Sequence, residues 1–174
     1  KQVIRYMAGL AVDPLSIYQI RKFCKRLKTL LNIPFDDYVE IVKIFEHTLT
    51  RVGVEFEIAT IDEMGTKHGE TIPQENKVRI REDVYERACV GYGRDRLTIA
   101  HELGHLLLHS IDKIKFARDE TAIPAYKDPE WQANAFAGEL LAPYECIQGM
   151  TLEDISLKYG VTEKAAAVQR NRKR

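Results

Sequence analysis

The chain has 174 residues, 45% of them apolar, and its 26 Lys+Arg balance 26 Asp+Glu to a net charge of zero. That size and apolar share suit one domain over residues 1–174 with its own core. The charge balance removes any global electrostatic case for nucleic acid or membrane surfaces. No apolar run approaches a membrane span and no signal-peptide pattern opens the sequence, so a cytoplasmic protein is expected. Three separated cysteines, Cys24, Cys89 and Cys146, lack zinc-site spacing and fit reduced, buried positions.

Between Pro14 and Asn32, the residues Tyr18, Ile20, Phe23, Cys24, Leu27, Leu30 and Leu31 recur at helical spacing with Lys and Arg between them. They predict an amphipathic helix closing an N-terminal segment, 1–32. A second helix is predicted from Asp36 or Asp37 to about Val52, with Gly53 as its stop. Val54–Ile58 alternates apolar and charged residues, as does Lys77–Arg81. Each reads as a half-exposed strand, and the two should pair. Gly65, Gly69 and Pro73 mark the stretch between them as turn-like.

Gly91-Tyr92-Gly93 leads into the next helix, with Asp95 its expected N-cap. The glycine pair lacks the rest of any phosphate-binding motif and reads as loop punctuation. Asp128-Pro129 is a helix start, and that helix should stop at Leu141, before Pro143. Thr151 and Thr162 precede two short helices, Leu152–Tyr159 and Glu163 to about Arg172, within a helical tail over 144–174. The expected fold class is α+β, mainly helical, with a small antiparallel sheet packed beside the helix described next.

That helix carries His101-Glu102-Leu103-Gly104-His105-Leu106-Leu107-Leu108-His109, an HExxH motif in an apolar run holding three of the five histidines. Residues four apart on a helix stand about 40° and ~6 Å apart, so His101 and His105 can present imidazole nitrogens to one metal ion. Glu102 falls on the same side, placed to act on a water as a base rather than as a ligand. A helix apolar nearly all round is a core helix, where unpartnered histidines and a glutamate are costly. The motif therefore predicts one Zn2+ per chain in preference to hydrogen-bonded core histidines.

Catalytic zinc usually has a third protein ligand. His109 lies ~12 Å along the axis from His101, too far to share the ion. It is assigned to packing or hydrogen bonding at the helix end, with little effect on metal affinity. Asp112, Asp119 and Glu120 read as solvated loop charges. Glu130, 25 positions after His105, sits in the first turn of a helix whose face continues through Ala133, Asn134, Ala137 and Leu141. Gly104 offers a matching gap. Spacing favours Glu130 as ligand and leaves open a surface glutamate drawn to a helix N-terminus.

The segments Arg94–His105 and Pro129–Pro143 resemble the ImmA/IrrE-type metallo-endopeptidases, and looser likeness runs from about Ile33 onward. The resemblance implies a zincin-like fold, zinc ligands at His101, His105 and Glu130 and a catalytic glutamate at Glu102. Ala142 stands where many members have methionine. The resemblance also implies a cytoplasmic protease acting on a protein partner, a transcriptional repressor, in the manner of anti-repressors of phages and mobile elements. The rival expectation is a zinc-stabilised module that inactivates a partner by binding alone. Direct nucleic-acid binding through Arg170–Arg174 is disfavoured by the neutral net charge, and Tyr126 and Tyr144 are oxyanion candidates by proximity only.

Overall fold

The computed structural model describes residues 10–109, 115–116 and 124–172. Helix α1 (Ile17–Leu30) begins at Ser16, whose side chain accepts from the Gln19 amide while Gln19 bonds back to the Ser16 amide. This reciprocal box satisfies two amides left open at any helix start. The helix buries Ile17, Ile20 and Cys24. A short pair, β1 (Leu10–Ala11) with β5 (Lys115–Phe116), runs antiparallel.

The second predicted helix is present but irregular. It starts at α2 (Ile41–Lys43), widens into a π-helical stretch at Ile44–Leu49 and tightens to a 3-10 turn at Thr50–Val52. Gly53, at φ +83°, ends it as expected.

The sheet has the order β2-β4-β3, from β2 (Glu55–Ala59), β4 (Lys77–Arg81) and β3 (Gly69–Ile72), with α3 (Ile61–Met64) between β2 and β3. The strands read from sequence do pair, but in parallel, Glu55 opposite Lys77 and Ala59 opposite Arg81. The sheet is thus mixed rather than purely antiparallel. The stretch read as turn-like supplies β3, which forms a tight antiparallel pair with β4 across Pro73–Asn76. With one edge of β4 taken by that hairpin, β2 must use the other, and the crossover through α3 sets its direction parallel. Alternation on β4 buries Val78 and Ile80.

Helix α4 (Glu82–Cys89), not among the elements expected from sequence, follows directly and buries Val84 and Ala88, four residues apart. Helix α5 (Gly93–Leu108) carries the HExxH motif and has Tyr92 at its N-cap position, three residues earlier than the expected Asp95. Asp95 is instead buried in the first turn. It accepts two bonds of 3.0 Å from the Arg87 guanidinium on α4. A bidentate ion pair binds Asp95 in place of a capping role.

Helix α6 (Pro129–Leu141) has Asp128 as N-cap and Pro129 in its first turn, as predicted. It packs against α5 on one side and α1 on the other, where Cys24 Sγ lies 3.7 Å from the Phe136 carbonyl and Phe23 meets Phe136 at 6.1 Å. Helices α7 (Leu152–Tyr159) and α8 (Glu163–Asn171) start behind Thr151 and Thr162, each a side-chain cap. Arg96, only 1% exposed, ties α5 to this end of the chain by donating to the Val39 and Tyr159 carbonyls. Burial lowers its pKa to about 10, and the Tyr38 ring 3.7 Å away supplies a cation–π contact.

The α5–α6 crossing is the tightest constraint on the site. A Cβ at Gly104 would lie 3.0 Å from Phe136 Cδ1 and 3.1 Å from Ala133 Cα. Gly104→Leu is therefore expected to destabilise the metal-free protein by roughly 2 kcal/mol or more through overpacking, read as a fall in thermal midpoint. An unchanged midpoint would mean the helices are free to separate.

Candidate metal centre

Two turns of α5 and the first turn of α6 bring three ligand atoms together. His101 Nε2 and His105 Nε2 are 2.9 Å apart. Glu130 Oε2 stands 3.3 Å from the first and Oε1 3.2 Å from the second. The three residues form a cluster whose ligand atoms all lie within 4.8 Å of one another. Ligands ~2.1 Å from a tetrahedral ion stand about 3.4 Å apart, so this spacing fits zinc with small adjustment. His105 is buried, His101 half-buried and Glu130 exposed on its outer side. Asp112, Asp119 and Glu120 lie outside the described residues.

The hydrogen bonds around the cluster prepare it for a cation. His101 Nδ1 lies 3.1 Å from Asn134 Oδ1, one turn beyond Glu130 on α6. With a proton on that Nδ1, the lone pair of Nε2 faces inward. Burial works to lower the His101 pKa, but the bond to Glu130 and the charges of Glu102 and Glu130 raise it above its ordinary value. The imidazoles of His101 and His105 beside it hold the Glu130 carboxyl well below the usual carboxylate range. The centre thus favours positive charge, which a divalent cation supplies better than a shared proton.

Glu102 lies beside the cluster, 7% exposed. Burial raises its pKa above the ordinary carboxylate value. Strand β3 holds it from the other side, a contact with no signature in sequence. The Thr71 hydroxyl is 2.7 Å from Glu102 Oε2 and 3.0 Å from the Glu102 carbonyl. Gly69 makes room for the side chain: a Cβ there would come within 2.7 Å of Glu102 Cγ.

The cluster opens on a cleft of about 640 Å³ between α5, α6 and α8, lined among others by His68, Arg94, Glu102, Trp131 and Val168. Tyr126 and Tyr144 are not among its lining residues; Tyr144 instead stacks under Arg21, 4.1 Å from the guanidinium. His68 joins the cleft from β3's leading end, where its Nδ1 is 3.0 Å from Arg81 Nη2. His109 is not in the cluster. It is completely buried behind His105, and burial with the nearby charge of His105 pushes its pKa down to about 4.

An HExxH helix met by a glutamate-bearing helix defines the metallopeptidase class of site. The chain belongs to the Peptidase_M78 family, whose IrrE N-terminal-like domain model matches residues 50–169, more than half of its length. No curated protein matches it. The match spans all three cluster residues and Glu102, and ends within α8. Helix α1, which lies before the matched region, is packed on α6 in the same core.

The raised pKa of Glu102 makes a stability prediction for the metal-free protein. A folded pKa above the unfolded value means that ionised Glu102 weakens the fold as pH rises through the carboxylate range, and has no such effect below it. Glu102→Gln keeps an acceptor for Thr71 and removes the buried charge. Its thermal midpoint at pH 7–8 should equal or exceed that of the wild type, and the gain should vanish near pH 4. A clear loss of stability at neutral pH would mean that the carboxylate is a structural element.

Proposed function

We propose that this protein is a zinc-dependent endopeptidase that cleaves a specific protein partner, a transcriptional repressor, inside the cell. The observation that carries the reading is the convergence of His101 Nε2, His105 Nε2 and the Glu130 carboxylate next to a buried Glu102. Membership of a peptidase family supports the reaction type. No helix among the described residues is long and apolar enough to cross a membrane. The repressor as partner rests on the resemblance drawn from Arg94–His105 and Pro129–Pro143.

His101, His105 and Glu130 would hold the ion, leaving one position for water or substrate. Zinc supplies a Lewis acid that polarises the scissile carbonyl and makes water acidic near neutral pH. Glu102 accepts a proton from the attacking water and delivers it to the leaving amine. Its raised pKa suits both tasks, since a base poised nearer the working pH takes and returns a proton readily. The cleft receives the polypeptide in extended form, with Leu97, Trp131 and Val168 offering apolar contact.

Glu102→Gln should retain one zinc per chain and lose peptide cleavage by about 10²- to 10⁴-fold, measured by mass spectrometry on candidate repressor substrates. Equal relief of repression by wild type and variant, with the partner intact, would instead establish a module that acts by binding alone. His101→Ala and His105→Ala should each abolish stoichiometric zinc, and Glu130→Ala should weaken it strongly. Full occupancy in all three variants would place the ion elsewhere.

A further inference from the structure

We infer that His109 and Gln132 are positioning residues for the metal site, acting as a fixed-direction hydrogen-bond relay that turns the Nε2 lone pair of His105 toward His101 and Glu130. This rests on the metallopeptidase reading above. The relay starts at a point where chemistry leaves no choice. One atom of the Gln132 amide lies 2.9 Å from the Asp13 carbonyl and 2.8 Å from the Tyr126 carbonyl. Carbonyl oxygens only accept, so that atom is Nε2, and both of its protons are used.

The Gln132 oxygen therefore faces His109, whose Nε2 is 3.0 Å away. An amide oxygen also only accepts, so His109 must carry its proton on Nε2. A neutral imidazole has one N–H, which leaves the His109 Nδ1 as a lone pair. That atom is 3.0 Å from His105 Nδ1. His105 must therefore donate from Nδ1, which in the neutral tautomer puts the lone pair on Nε2, facing His101 and Glu130.

Burial makes the direction binding. Gln132 and His109 are both 0% exposed, and His105 is 3% exposed. No solvent is at hand to satisfy a reversed chain, so reversal would leave a buried donor facing a donor or an acceptor facing an acceptor. The two backbone carbonyls, at Asp13 and Tyr126, belong to segments that are bonded to each other, Val12 N–H to the Lys127 carbonyl and Leu15 N–H to the Tyr126 carbonyl, so the fold itself anchors the relay. The parallel device for His101 is Asn134, two residues further along α6 than Gln132. The relay keeps His109 out of the ion's reach, as spacing implied, but predicts an effect on metal affinity where spacing alone predicted little. It is too far along the helix to touch the ion, yet it prepares a residue that does.

Two measurements test the relay. First, zinc affinity is titrated against a chelator. His109→Leu, which keeps bulk and loses the acceptor, should bind zinc about 10- to 100-fold more weakly. His109→Asn, whose Oδ1 can accept from His105 Nδ1, should recover most of that loss. A role in packing alone would favour Leu over Asn, and that order of affinities would overturn the proposal. Second, nitrogen NMR of histidine-labelled wild type should show a protonated Nδ1 on His105 coupled through the hydrogen bond to an unprotonated Nδ1 on His109. A proton resident on His109 Nδ1 would overturn the proposal even if the variants failed to fold. The NMR experiment reads the relay in metal-free protein too. Failure of the wild type to bind zinc would thus strike the metallopeptidase reading, while the coupling would still decide the relay.

Discussion

The close approach of α5 and α6 is the constraint on which the rest depends. Three features of α6 reach α5 from the two sides of Ala133, which sits against Gly104. Glu130 and Asn134, four residues apart, meet His101 and His105 from one side. Gln132, on the other side, meets His109. Widening the crossing by even one methylene would weaken all of these contacts together, because the carboxylate, the amides and the imidazoles are matched to single hydrogen-bond lengths. Small residues at the crossing are thus a requirement of the chemistry as much as of packing.

What the crossing builds is an electrostatic demand. Two lone pairs and a carboxylate face one another at about the spacing of a coordination shell. Each would be better solvated apart, and a fold that gathers them gives up stability unless a cation joins them. The same logic applies to Glu102, which burial makes harder to ionise. Stability is conceded at these positions and regained in the surrounding core, where Ile99, Ala100, Leu103, Ala133 and Phe136 are fully buried around the motif. Such a local conflict between sequence and packing is characteristic of a functional site.

Much of this was legible in the residues themselves. HExxH is a helix-periodic pattern, so its geometry follows from 3.6 residues per turn. Asp128-Pro129, Thr151 and Thr162 are local start signals, and all three helices begin where those residues place them. The errors share a cause. Asp95 looked like a cap because its competing partner, Arg87, is brought to it by the α4–α5 turn. Gly69 looked like a turn residue, yet its lack of a side chain serves Glu102, 33 positions away. The sheet direction depended on β3, which breaks its own periodicity with that glycine. The hydrogen bond from Gln132 to His109 depended on carbonyls from Asp13 and Tyr126, distant in sequence from the motif, which orient the Gln132 amide. Local patterns were readable; contacts decided by tertiary neighbours were not.

The central claim is that the α5–α6 crossing assembles one three-ligand ion site. Anomalous diffraction at the zinc absorption edge, on crystals of zinc-loaded protein, addresses it most directly. One strong peak per chain is predicted, about 2.0–2.2 Å from Nε2 of His101, Nε2 of His105 and an oxygen of Glu130, with His109 outside the coordination shell and hydrogen-bonded to His105 and Gln132. A peak bound through Nδ1 of His105, a peak including His109, or no peak near α5 would contradict it.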